Sequence, residues 1–504
     1  MDNMKINIDV KEDKFNEKSL FVKLNICGMS SGIANLYIGN ISPFDVKCNF
    51  KYKEKDNFIE VDKMDNSNLE LNYKVKIGKL AKHGHGGEIN KNILAFTGEQ
   101  VFILPVEILS LKDIEDSICE LISINIESLK KPIQIPFCNG KKLLKKTNVV
   151  WSDVYKIMKD NYIFGDFSIG FKRDNIKIIR ENGISLKCDI EENIYNLYKY
   201  YCNLFKEYDK ELKVILLNNS KEDKKGIVCG CVGDSICATF DFENIRDWQL
   251  LSHRMFHNFM DYKIKSKVFH VTPNLWLTEG LATYYEISAL ESLSYRLKEI
   301  LGVDSESEFK KIFLRYLYMK FKNKDLLEIS PMEEGSLRSL GKVEFLHYTV
   351  APLIVKYIED VIYKNRKEKD SIITYISNLN YKEVFNMEDL FFYLFGEKKD
   401  SFAMTFLFNS EIIPLWYLSD GIEDEEEIIN SINEYDYILW SWFQREGVNY
   451  ERSIISSNDI KEDYEIIANK LNINFSNKLF ENMVKKASYT IYILLKKHYL
   501  GIYI

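Results

Sequence analysis

Residues 252–262 read SHRMFHNFMDY, and residues 274–286 read NLWLTEGLATYYE. In the first segment Met255, Phe256, Phe259 and Met260 recur at helical spacing, which predicts a helix with one apolar side. His253 and His257 stand four residues apart on that helix, so their imidazoles share a face. The whole chain holds only 7 histidines. Two histidines at this interval suit a hydrogen-bonded core pair as well as a metal. The second segment, also predicted helical, adds Glu279, a carboxylate from a neighbouring helix. Two imidazoles and one carboxylate form the donor set of a zinc centre with one position open.

The surroundings fit an α/β frame upstream and helices downstream. LKVILLNN (212–219) is a short, continuous apolar run of the kind buried strands carry. It follows EENIYNLYKYYCNLFKEYDKE (191–211), whose apolar and aromatic positions keep a helical period. IVCGCVGDSICATFDF (227–242) predicts a further strand with a Gly-rich bend. About 140 residues at the start read as short β-branched and aromatic runs, such as KINIDV, SLFVKLNICGM and LELNYKVKIG, separated by turn residues. From Asp247 onward the pattern is mainly helical. The divisions are residues 1–185 (β-rich), 186–345 (the domain holding the two quoted segments) and 346–504 (helical). The acids of GIEDEEE (421–427) suit a solvated helix start.

Composition narrows the class. Lys+Arg number 68 against 75 Asp+Glu, a net charge of -7 without a basic block, which argues against nucleic acid as the partner. No run of 18 apolar residues is present, so no membrane span is expected. The first residues, MDNMKINIDVKEDKF, are charged and alternating, unlike a secretory signal, and a cytoplasmic location is expected. The 9 cysteines are an odd number scattered between Cys27 and Cys237, which suits reduced thiols. Cys229 and Cys231 with Cys237, and the pair His83 and His85, are weaker metal candidates; tight-turn packing and an exposed loop account for them as well. Low Pro with high Lys, Ile and Asn suits an AT-rich bacterial genome.

The pairing of H-x-x-x-H with LWLTEG resembles the gluzincin zinc aminopeptidases, in which H-E-x-x-H is followed about eighteen residues later by a Glu in a [W/F]-x-x-E-G segment. Within that group the chain is similar to the glycyl aminopeptidases and, next, to the membrane-alanyl aminopeptidases. The strong likeness covers residues 248–290; elsewhere only the layout agrees. The resemblance implies a multidomain α+β fold: an N-terminal β-sandwich, a thermolysin-like α/β metallopeptidase domain and a C-terminal helical region. It implies Zn²⁺ held by His253, His257 and Glu279. Glu286, seven positions after Glu279 on the same helical face, would hold a ligand histidine from behind; a surface acid is the alternative. In HYTVAPLIV, Tyr348 would donate to the oxyanion of a tetrahedral intermediate, although Ala351 stands where the family has Gly. Gly233 and Asp234 match the segment that binds the substrate's free amine, and a capped bend explains them equally.

The departures weigh as much as the matches. The position of the general-base Glu is Arg254, whose guanidinium does not give up its proton at any accessible pH and cannot accept one from zinc-bound water. Loss of a general base is worth about 10²–10⁴ in rate. Between His257 and Glu279 lie 21 residues, more than the family interval, which an insertion such as KIKSKVFHVTP would absorb. The expectation is therefore an aminopeptidase-like, zinc-binding protein, catalytically impaired, that holds a peptide in its cleft. Arg254 would then face a carboxylate such as a peptide terminus. Two alternatives stand beside it. One is an active metallopeptidase using Glu243, Glu286 or zinc hydroxide alone as base. The other is a metal-free scaffold in which Arg254 pairs with Glu279 or Glu286.

Overall fold

The computed structural model describes residues 4–396, apart from 14–17, 40, 56, 78–86, 110–118, 139, 185–187, 218–232, 264–273, 307, 310–311, 313–328, 338–339 and 380–384. The loop with His83 and His85, the Cys229–Cys231 pair, residues 264–273 of the KIKSKVFHVTP insertion and the acid run at 421–427 lie outside the described residues. Among the described residues, no helix is long and apolar enough to cross a membrane. Cys27, Cys48, Cys119, Cys138, Cys202 and Cys237 carry free thiols.

The N-terminal part is a β-sandwich. Met4–Glu12, sequence MKINIDVKE, buries Met4, Ile6, Ile8 and Val10 and turns Lys5, Asn7 and Lys11 outward, the two-residue period of a half-buried strand. It lies antiparallel to Ser19–Cys27 and parallel to Cys119–Glu127. With Leu69–Lys76, Phe44–Cys48 and Leu143–Val149 they complete a six-stranded sheet. Two four-stranded sheets accompany it, one centred on Gly32–Tyr37 and Phe58–Lys63, the other on Asn161–Gly165 and Ile93–Thr97. One continuous apolar core fills this part. Within it the buried Tyr73 hydroxyl donates to the Val101 carbonyl (2.8 Å) and accepts from the Ile103 amide (3.1 Å), so this phenol enters the core with its hydrogen bonds satisfied.

The α/β sheet runs Phe167–Arg173, Ile176–Glu181, Leu212–Leu217, Ser235–Thr239. The first pair is antiparallel and the next two are parallel. The helix Cys188–Phe205 makes the crossover between the parallel strands Ile176–Glu181 and Leu212–Leu217, as such a pairing demands. Ile179, Ile215, Leu217 and Cys237 of this sheet share a small core with Ile93, Ala95 and Ile163 of the sandwich. The helix Ile245–Lys263 follows the last strand.

The remaining described elements are helical. Leu275–Ala289 packs on Ala351–Arg366, and the approach is close at Gly280: a Cβ there would stand 2.6 Å from Cβ of Ala351. Glu359 of the second helix is buried and accepts the Ser371 and Ile372 amides at 3.0 and 2.9 Å. It thereby caps the helix Ser371–Asn378. Tyr285 donates to Asp370 at 3.0 Å, just ahead of that helix.

Candidate metal centre

The histidine helix is fixed at its start and along one side. The Trp248 indole donates to the Phe242 carbonyl at 3.0 Å, and the Asp247 carboxylate accepts the Asp241 amide at 2.8 Å. Phe256 and Phe259 pack among Tyr198, Tyr201 and Phe205 of the crossover helix. The Tyr201 and Ser252 hydroxyls share a hydrogen bond of 2.8 Å. These contacts set the rotation of the helix and leave His253 and His257 half-buried.

The two imidazoles meet through Nε2, with 3.0 Å between the nitrogens. Two nitrogens bound to one tetrahedral zinc at about 2.0–2.1 Å stand roughly 3.3 Å apart. The observed spacing reaches that value by a movement of a few tenths of an ångström, so the pair fits such an ion. The rings are inclined by 70° with centroids 4.7 Å apart, a cluster rather than a stack. The potential ligand atoms of His253, His257 and Glu279 all lie within 4.8 Å of one another. Two imidazole nitrogens and one carboxylate oxygen at that separation have the chemistry of a zinc site with an open position.

Arg254 follows His253 on the same helix and is only 8% exposed. Its Nε is buried without a hydrogen-bond partner, and the side chain forms no ion pair or hydrogen bond with any described residue. Glu243 is exposed and precedes the helix.

Gly233 and Asp234 are engaged within the fold. Gly233 has φ of 80°, the left-handed region that glycine enters most easily. Its carbonyl accepts from Lys210 Nζ at 3.0 Å and from Asn258 Nδ2 at 2.9 Å. The bend is thus tied to the residue after His257, a link that the sequence did not signal. Asp234 accepts from Lys156 at 2.8 Å. Burial raises the Asp234 carboxyl, but Lys156, Lys210 and Lys213 outweigh it and the net shift is downward. Burial pushes Lys210 down to about 8, against the pull of Asp234. Asp160, wholly buried beside this bend, is pushed up to about 7, chiefly by burial. This ionic cluster carries no sequence signature, because its members are separated by up to 78 residues.

Glu286 is buried, not a surface acid. Tyr348 lies in a single π-helical turn, Leu346–Val350, and is exposed while Leu346, His347, Thr349 and Val350 are buried. Such turns recur where a side chain must leave the regular helical register. The buried His347 and Glu334 meet at 2.5 Å between Nε2 and Oε1, one residue from Tyr348.

The sandwich, the α/β sheet with its histidine helix and the helices that follow make a multidomain α+β architecture that is shared with a solved aminopeptidase N family structure. Among solved structures the chain is similar to an aminopeptidase N family protein from Idiomarina loihiensis, with a TM-score of 0.52 and 12% identity, over 84% of this chain and 75% of that one. An M1 zinc metallopeptidase from Deinococcus radiodurans also matches (TM-score 0.44, 12% identity, 82% of this chain and 94% of that one). So does native yeast LTA4 hydrolase (TM-score 0.46, 12% identity, 94% and 79%). No protein-family model and no curated protein sequence matches the chain.

Proposed function

We propose that this chain is a zinc-binding, aminopeptidase-like protein that holds a peptide in its cleft and has lost the ordinary hydrolytic mechanism. His253, His257 and Glu279 would hold the zinc, with Glu286 behind them. The spacing of the two imidazoles, 3.0 Å between Nε2 atoms, carries this reading. Zinc would supply a polarising Lewis acid and an acidified water. The chain's own residues supply little to move a proton, since Arg254 occupies the base position and remains a cation. Tyr348, exposed on its π turn, would be the donor to a tetrahedral oxygen. The domain divisions proposed are 1–185, 186–345 and 346–504.

Metal analysis of protein purified without chelator tests the ion: about one zinc per chain is expected, and His253→Ala or His257→Ala should lose it. Arg254→Glu tests the missing base. Restoring a carboxylate there should raise chelator-sensitive release of N-terminal Gly or Ala from chromogenic amides by about 10²–10⁴ over the unaltered protein. Unaltered protein that already hydrolyses these amides at rates typical of aminopeptidases would end the claim of impairment. Loss of zinc from neither histidine variant would end the claim about the metal.

A further inference from the structure

Arg254 is a buried cation without a counter-charge among the described residues. Arginine is rarely buried unless paired, because taking a charge out of water is costly. Unlike lysine, it cannot escape by giving up its proton. Here the side chain is 8% exposed, its Nε meets no acceptor, and no carboxylate among the described residues pairs with it. At about 100° per residue it lies roughly 100° around the helix from His253 and 60° from His257, on the side the imidazoles occupy. A bound dication would add to the positive potential there.

The acid that could receive an ammonium group points to the same conclusion from the other direction. Asp234 is neutralised by Lys156 at 2.8 Å, and Lys210 reinforces the positive charge around that bend. Beside the histidines the described residues therefore offer a buried guanidinium without a partner, and the Gly233–Asp234 bend offers no free carboxylate. A peptide amine would be repelled and a carboxylate attracted. A carboxylate also matches the planar fork of a guanidinium in two parallel hydrogen bonds.

We propose that Arg254 is the anchor for a carboxylate of the ligand, so that the site takes a peptide by its acidic end or an acidic side chain rather than by its free amine. The proposal deepens the peptide-binding function above and rests on it for the place of the cleft. The charge argument itself holds with or without zinc.

The test is calorimetric titration of the full chain, zinc-loaded and metal-stripped, with N-acetyl-Ala-Ala-Ala as the free acid and as the C-terminal amide. The acid should bind the unaltered protein about 10- to 100-fold more tightly than the amide, the range for charged hydrogen bonds. In Arg254→Gln the ratio should fall to near one while the zinc content is unchanged. In parallel, thermal unfolding is followed in sodium acetate, in sodium phosphate and in sodium chloride of equal ionic strength. Acetate should raise the midpoint of the unaltered protein, and not of Arg254→Gln, beyond the effect of chloride. Equal binding of acid and amide, a preference that persists in Arg254→Gln, or no Arg254-dependent effect of acetate when neither peptide binds, each overturns the proposal. Stabilisation by phosphate alone overturns the choice of carboxylate. Zinc analysis on the same samples reports the metal separately. Protein without zinc that still prefers the acid through Arg254 removes the metal reading and keeps this one; zinc-loaded protein without that preference does the reverse.

Discussion

At Arg254 one residue changes the chemistry of its surroundings without disturbing the elements that hold it. The helix keeps its imidazoles 3.0 Å apart and its aromatic packing on the crossover helix, because a long side chain at this position can be buried along its stem. The cost is a desolvated charge. Replacing Arg254 by Met, of similar length and without charge, should therefore raise the stability of the ligand-free protein by about 1–3 kcal/mol. A higher unfolding midpoint in anion-poor buffer would show it; a lower midpoint would mean that the guanidinium has a stabilising partner. That His253 and His257 share one face of a helix was legible in the sequence, because helical spacing is a local property. The lack of a partner for Arg254 among the described residues and the capture of Asp234 by Lys156 were not. Each depends on which distant residues the fold brings near, and Lys156 is 78 positions from its partner. The burial of Glu286 was open for the same reason: its helical face could be read, but not what covers that face.

Among the elements, helices and strands were read well where their periods are clean, as in Met4–Glu12 and Ile245–Lys263. Pairing was less legible. The parallel match of Met4–Glu12 with Cys119–Glu127 joins segments more than a hundred residues apart, and alternation within each strand does not name its neighbour. The π turn at Leu346–Val350 also escaped, since HYTVAPLIV reads as ordinary helix. Helix packing at Gly280 and Ala351 allows a sharper test. A Cβ on Gly280 would lie 2.6 Å from Cβ of Ala351 and 3.0 Å from its carbonyl carbon, so backbone must move. Gly280→Ala should destabilise by about 1–3 kcal/mol through overpacking, despite the better helix propensity of Ala. Ala351→Gly in the same chain should recover part of the loss, and a double-mutant cycle on urea midpoints measures that coupling. Strict additivity of the two changes would show that the helices separate freely at this point.

Over the whole molecule, buried acids link stability to pH. Asp160 closes the helix Trp151–Lys159 and leads into a sandwich strand; its carboxylate accepts from the Asn161 amide at 2.7 Å and from Ser235 of the α/β sheet at 2.8 Å. It therefore sits where sandwich and α/β sheet are joined. Burial, opposed by Lys156, brings its carboxyl from an ordinary value of 3.8 to about 7. Burial likewise brings Glu359, in the helical part, from 4.5 to about 7 in spite of the two amides it accepts. In both cases the folded chain holds a proton that the unfolded chain has released between those values. By linkage, their contribution is fully present below about pH 4 and is lost as pH rises to about 7. Lys210 acts in the opposite sense at higher pH. Its folded value of about 8 lies below the ordinary 10.5, so folding favours its neutral form and stability recovers as pH rises from 8 towards 10. The expected profile is thus a decline of a few kcal/mol across the weakly acidic range, at about 1.4 kcal/mol per unit of each shift, with a shallow minimum near neutrality. Urea unfolding at pH 5, 6, 7 and 8 measures it. Asp160→Asn should flatten the decline for the transition that includes the sandwich, and Glu359→Gln should do so for the helical part. The two effects should add, because each residue acts within a separate compact unit. A flat profile in the unaltered protein, or a slope untouched by either substitution, would place the proton uptake elsewhere.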